Sequence, residues 1–296
     1  MDKFESGLRD RNKRRWMKVG LASAALAITG SPAFSAISYR RLRVGFTPAF
    51  LHDQHVLLAD WRAYMERHLG RPVNFIQRDS YRETMDLIRL DKLDFAWICD
   101  YPFIHLKDKV RLLAVPLYQG RPYYHSYLLV RDSNVQVKSM VDLKDAVFAY
   151  ADPYSNTGYL APRYAVRQLG ADPNAFFRKT FFTYSHRKVV EAVAKGLAHA
   201  GAVDSFVWDT LAKQEPTLTS RTRIVWRSPE YGFPPFIAHR LVNETDFRAM
   251  QGLLLGMASD EEGRKLLGRL NLDGFIEGRP ELYDSVADMM KAFGEI

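Results

Sequence analysis

The run Leu42-Arg43-Val44-Gly45-Phe46, the helical pattern Val56 to Leu69, the run Val73 to Ile76, the helix opened by Ser80 and the run Phe95-Ala96-Trp97-Ile98-Cys99 decide the fold class. The short apolar runs have strand length. The segments between them carry apolar residues at helical spacing, as Leu57, Trp61, Tyr64 and His68 do. Ser80-x-x-Glu83 is a capping box and opens a helix through Leu90. Leu112 to Leu117 reads as a further strand. A β-α-β-α-β order calls for parallel pairing with helices on both faces, an α/β fold.

Downstream the pattern restarts. Strands are expected at Tyr127–Val130, Val147–Tyr150, Phe181–Tyr184 and Ala200–Val203. Helices are expected at Gly158–Leu169 and His186–Lys195. After a proline-rich bend, Ser228 to Pro235, three more follow at Glu244–Met257, Glu261–Leu270 and Leu282–Phe293. Two α/β lobes follow, joined by two crossing segments: 36–126 with 235–296, and 127–234. A ligand then belongs between them, at the carboxyl ends of the strands.

Upstream, seven basic residues from Lys3 to Lys18 stand against three acidic ones, and an apolar small-residue run follows from Val19 to Thr29. With Ala33-Phe34-Ser35-Ala36 as a cut site, residues 1–35 read as a secretory signal, cleaved after Ser35. The alternative is an uncleaved anchor, for which the run is short. The chain has 296 residues, a net charge of +8 and one cysteine. Half of that charge sits in the signal. The remainder forms no basic cluster, which argues against nucleic acid. One cysteine excludes an intramolecular disulfide and any multi-cysteine metal site.

Three stretches then resemble a known family: Asp94-Phe95-Ala96-Trp97-Ile98-Cys99, Asp152-Pro153-Tyr154-Ser155-Asn156-Thr157-Gly158 through Pro162, and Tyr184-Ser185-His186 with a helix and Gly201-Ala202-Val203-Asp204. In order and spacing the chain from 41 to about 270 resembles the periplasmic phosphate/phosphite/phosphonate-binding proteins of ABC importers. The resemblance implies the two-lobe type 2 periplasmic binding fold, a location in the periplasm, a monomer, no cofactor, and a small oxyanion delivered to an ABC permease. A periplasmic sensor of arsenite or phosphite that signals to a membrane histidine kinase is the alternative.

The site residues are Tyr81, Cys99, Tyr101, Tyr124, Ser155, Asn156, Thr157, His186 and Asp204. Ser155 to Gly158 lie where a helix begins, and free N–H groups there suit an anion, although Ser155 or Thr157 could equally serve as a plain cap. By resemblance His186 contacts a phosphoryl oxygen and becomes protonated beside it, whereas Arg187 and Lys188 read as solvated helix residues. Asn156 stands where the family usually has threonine, and its amide can still donate. Tyr81 matches a ligand-contacting tyrosine. A second such tyrosine aligns with Ile98, so Tyr101 would have to replace it. Asp204 is a candidate acceptor for a protonated ligand oxygen, and Asp100 is only its neighbour by sequence to the site. Cys99, at the end of a strand, is either a small buried residue or a thiolate for a soft oxyanion. Tyr124 and Ser126 line the cleft or form the hinge. His52 and His55, three apart with His68 further along, could share a metal, but no third ligand is strongly indicated. An enzyme is disfavoured: the chain has no G-x-S-x-G, no phosphate-binding G-x-x-x-x-G-K-[ST] loop and no H-E-x-x-H.

Overall fold

The computed structural model describes residues 40–48 and 54–296. The signal expected at 1–35, and His52 and Asp53, lie outside the described residues. The strands are β1 (Leu42–Phe46), β2 (Val73–Gln77), β3 (Phe95–Trp97), β4 (Val110–Leu117), β5 (Tyr123–Tyr124), β6 (Ser126–Arg131), β7 (Val147–Tyr150), β8 (Lys179–Phe182), β9 (Ala200–Asp204), β10 (Thr222–Arg227), β11 (Tyr231–Gly232), β12 (Phe236–His239) and β13 (Gly274–Ile276).

Two larger sheets and a two-stranded ribbon divide them. One sheet has the order β13-β4-β12-β3-β1-β2, the other β10-β6-β9-β7-β8. Pairing is parallel where a helix links neighbours, as in β1 with β2 and β3, and β7 with β8 and β9. It is not parallel throughout. β12 runs antiparallel to β3 and β4, β13 to β4, and β6 to β9 and β10. The reason is connectivity: β6 and β12 are the strands by which the chain enters one sheet and returns to the other. The two passages pair with each other as an antiparallel ribbon, Tyr124 opposite Tyr231 and Tyr123 opposite Gly232.

Local chemistry sets the ends of the elements. The helix His55–Leu69 stops at Gly70, whose φ of 61° is open to glycine at no steric cost. The capping box forms as expected and starts the helix Tyr81–Arg89: Ser80 accepts from the Glu83 N–H, and the Glu83 carboxylate reaches back to the Ser80 N–H at 3.1 Å. The first core is aromatic. Trp61 is fully buried, with Phe46, Phe75, Trp97 and Phe236 ringed around it at 5.7–6.1 Å. Emptying such a site costs about 3–5 kcal/mol. A second cluster holds Phe148, Tyr150, Phe176 and Phe177 over β7. Asp94 ties β1 to β3 by a two-pronged pair with Arg43, at 3.0 and 2.8 Å.

Three local expectations change. Cys99 does not end a strand: β3 stops at Trp97, and Cys99 precedes a short helix, Asp100–His105. The helix expected from Gly158 begins earlier, as a π-type turn Asn156–Leu160 that leads into Ala161–Gln168. The strand expected to reach Tyr184 ends at Phe182, because Tyr184 takes a φ of 56° and turns the chain into the helix His186–Ala194. The helix Ser205–Gln214 and the strands β12 and β13 carry no clear periodic signal and were not anticipated.

Candidate functional site

Three chain segments leave the carboxyl ends of β7, β9 and β3 and meet. After β7, Asp152 to Ser155 form a turn, and Ser155 Oγ accepts from the Gly158 N–H at 3.0 Å. Gly158 is required by space: a Cβ there would lie 2.4 Å from Ala151 Cβ and 3.0 Å from His186 Cε1. Ser155, Asn156 and Thr157 are wholly buried. Ser126 Oγ donates to the Thr157 carbonyl at 2.6 Å and pins the turn from β6. A π-type turn interrupts ordinary helical bonding and is common at functional sites.

His186 opens its helix 1% exposed. The Asp204 backbone N–H donates to its Nδ1 at 3.0 Å. An amide N–H can only donate, so the ring proton sits on Nε2, which lies 3.3 Å from both Tyr81 Oη and Ser155 Oγ. Burial pulls the His186 pKa down to about 3. Without a ligand the buried imidazole is neutral and offers Nε2–H as a donor; the expected protonation concerns His186 beside a bound anion.

Asp204 ends β9 and caps the next helix, its Oδ1 accepting from the Phe206 and Val207 N–H groups at 2.7 and 3.4 Å. Burial pushes its carboxyl up to about 8. Asp152 Oδ2 accepts from the Tyr81 N–H at 3.1 Å, and so joins the turn after β7 to the helix Tyr81–Arg89. Tyr81 is itself buried, and burial holds its hydroxyl protonated.

Asp100 is the residue that sequence reasoning undervalued. It is fully buried. Its Oδ1 accepts from Tyr124 Oη at 2.9 Å, the Tyr101 N–H at 2.9 Å and Cys99 Sγ at 3.0 Å. Its Oδ2 accepts from Asn156 Nδ2 at 2.8 Å. Burial lifts its carboxyl to about 6. The short helix that presents it was hidden by Pro102 and by the apolar run ahead of it. Asn156 donates one of its two amide N–H groups to Asp100, which fixes the amide's orientation and leaves its second N–H and its oxygen. Asn156 Oδ1 and Thr157 Oγ1 are both buried without a hydrogen-bond partner. Such atoms cost about 1–3 kcal/mol each unless something fills the place beside them.

Cys99 is buried, and burial with the Asp100 charge beside it drives its thiol pKa well above the ordinary value. It is a thiol rather than a thiolate, and it is already partnered by Asp100. Tyr101 departs from the group: its hydroxyl bonds Glu295, and its ring faces Tyr154 at 6.2 Å. Tyr101, Tyr154, Ser185 and Lys188 line an adjoining cleft of about 1230 Å³. Ile98 is core. Arg187 is taken up by Glu191 and Glu215 at 2.9 and 2.6 Å, as a solvated helix residue would be. No lysine or arginine among the described residues pairs with Asp100 or Asp204, and no metal-holding group of three occurs among them. Tyr81, Tyr124, Ser155, Asn156, Thr157, His186 and Asp204 are thus gathered with Cys99 and Asp100, while Tyr101 turns away. Neutral donors and buried acceptors are thus brought together among buried side chains, an arrangement suited to binding.

Comparison with known proteins shows the family. A family model described as ABC transporter, phosphonate, periplasmic substrate-binding protein matches residues 44–283. A probable ABC transporter phosphite-binding protein of Prochlorococcus marinus is 23% identical over 95% of this chain and 99% of its own length. The phosphonates-binding periplasmic protein of Escherichia coli is 24% identical over 81% of this chain and 73% of its own. Among solved structures, the Prochlorococcus protein in complex with methylphosphonate superposes with a TM-score of 0.78, at 21% identity, covering 86% of this chain and 99% of that one. A binding component of a Pseudomonas aeruginosa phosphonate transporter has the same TM-score at 19% identity, covering 84% and 85% of the two chains. The fold is that of the type 2 periplasmic binding proteins.

Proposed function

We infer that this chain, which belongs to the family of periplasmic phosphonate-binding proteins of ABC transporters, captures a small tetrahedral oxyanion and delivers it to an ABC permease. Phosphonate, phosphite and phosphate form the ligand class. Residues 1–35 serve as the export signal. The observation that carries the reading is the pair of unpartnered buried atoms, Asn156 Oδ1 and Thr157 Oγ1, in the turn whose Ser155 meets His186, which in turn meets Tyr81. A ligand oxygen completes that set.

The lobes are 36–126 with 235–296, and 127–234, and they hinge on the ribbon of β5 and β11. Closure brings Tyr81 and Asp100 from one lobe against Asp152, Asn156 and His186 from the other. Binding to the closed form stabilises it by mass action. Affinity rests on hydrogen bonds to a charged ligand in a desolvated place. Calorimetric titration of the chain from residue 36 with methylphosphonate, phosphite and phosphate tests this. Binding of at least one of the three is expected, with a matching rise in Tm. Absence of heat and of a Tm shift with all three refutes the reading.

A further inference from the structure

The orientation of one amide carries an inference about ligand choice, and it rests on the functional reading above. A carboxylate can only accept, so the atom of Asn156 that lies 2.8 Å from Asp100 Oδ2 is the NH2 group. The other end of the amide, Oδ1, is therefore fixed as an acceptor, and it is buried without a partner. Asp100 is not free to turn. Its Oδ1 holds three donors, from Tyr124, Tyr101 and Cys99. The carboxylate is locked, and it locks the amide.

We propose that Asp100 is a specificity-determining residue: by holding the Asn156 amide with its oxygen free, it makes the pocket demand an oxyanion that still carries a proton. Phosphonates, phosphite and phosphate lose their second proton near neutrality and keep an O–H to give. Sulfate and sulfonates are fully deprotonated in the same range and present acceptors alone. Against Asn156 Oδ1 a sulfonate oxygen sets two acceptors together, and an unpaired buried acceptor is costly. Asp100 acts through Asn156 and is a positioning residue.

Methylphosphonate monoanion and methanesulfonate are the probes. They share shape and charge and differ by one proton. Wild type is expected to bind methylphosphonate at least about a hundredfold more tightly than methanesulfonate. Asp100→Asn keeps an oxygen toward Tyr124, Tyr101 and Cys99 and places an NH2 opposite Asn156. The Asn156 amide then reverses and offers its own NH2 inward, and the affinity ratio narrows by at least about tenfold. An Asp100→Asn protein with wild-type Tm and an unchanged ratio overturns the proposal. If that variant does not fold, Asn156→Thr carries the same test, because a hydroxyl donates or accepts at will; an unchanged ratio there overturns the proposal equally. Equal binding of both probes by wild type refutes the selectivity while leaving oxyanion capture intact. Binding of neither probe, nor of phosphite or phosphate, refutes both.

Discussion

Thr157→Ala separates a binding group from a structural one. In the protein alone the Thr157 hydroxyl is buried and makes no hydrogen bond. Removing it relieves a desolvated polar group, about 1–3 kcal/mol. Against that stands the lost burial of one methyl and the small void it leaves, about 1–2 kcal/mol. The backbone turn persists, because its anchor is the Thr157 carbonyl, held by Ser126 Oγ at 2.6 Å. The two changes nearly cancel, and Tm should move by less than about 4 °C, at about 2–4 °C per kcal/mol for a chain of this size. The ligand fares differently. It loses one hydrogen bond to a charged group, about 1.5–3 kcal/mol, which is about tenfold to a hundredfold in Kd. Thermal melts give the first number, and calorimetric titration with the tightest of the three phosphorus oxyanions gives the second. A fall in Tm above about 8 °C with unchanged affinity refutes the reasoning, since the hydroxyl would then be serving the fold.

Two further tests use the titratable groups. Burial raises the Asp204 carboxyl to about 8, above its unfolded value, so the folded chain holds a proton that the unfolded chain has lost. That stabilising term is complete at low pH and fades as pH rises through 8; His186, lowered to about 3, works the opposite way, but only below its unfolded value near 6.5. Between pH 6.5 and 8.5 the ligand-free stability should fall by up to about 1 kcal/mol per pH unit, and Asp204→Asn should flatten that slope in urea titrations; equal slopes in both proteins count against a protonated Asp204. Cys99, buried with its thiol pKa raised, should resist iodoacetamide in the native protein at pH 8 and react fully in guanidinium, and native labelling at the rate of a free thiol contradicts the placement.

Much of the fold is written locally. The run Leu42–Phe46, the capping box at Ser80 and the helix Glu261–Leu270 need no distant partner to be recognised, and they stand where the pattern put them. What the pattern missed depends on tertiary context. β12 and β13 owe their strand state to β3 and β4, across long separations in sequence. Tyr184 adopts a left-handed backbone, aided by a bond from its N–H to the Ala151 carbonyl at 2.7 Å, which no propensity foretells. The site divides the same way. Ser155, Thr157 and His186 declare themselves by sitting where helices begin. Asp100 does not, because its meaning lies in Tyr124 and Asn156, which are 24 and 56 residues away. The neutral state of His186 without a ligand is equally invisible in the sequence, because it is set by how completely the fold removes water.

Among the described residues no lysine or arginine pairs with Asp100 or Asp204, and for the proposed site this bears on the response to salt. Recognition built on a guanidinium or ammonium weakens as mobile ions screen the attraction, within a Debye length of about 8–10 Å in ordinary saline. Recognition built on Nε2–H of His186 and on hydroxyls and amides held at fixed distances has little long-range field to screen. Affinity should therefore change little across a wide span of ionic strength. Such a site would forgo the accelerated encounter that a cationic funnel provides in return for capture that salt alters little.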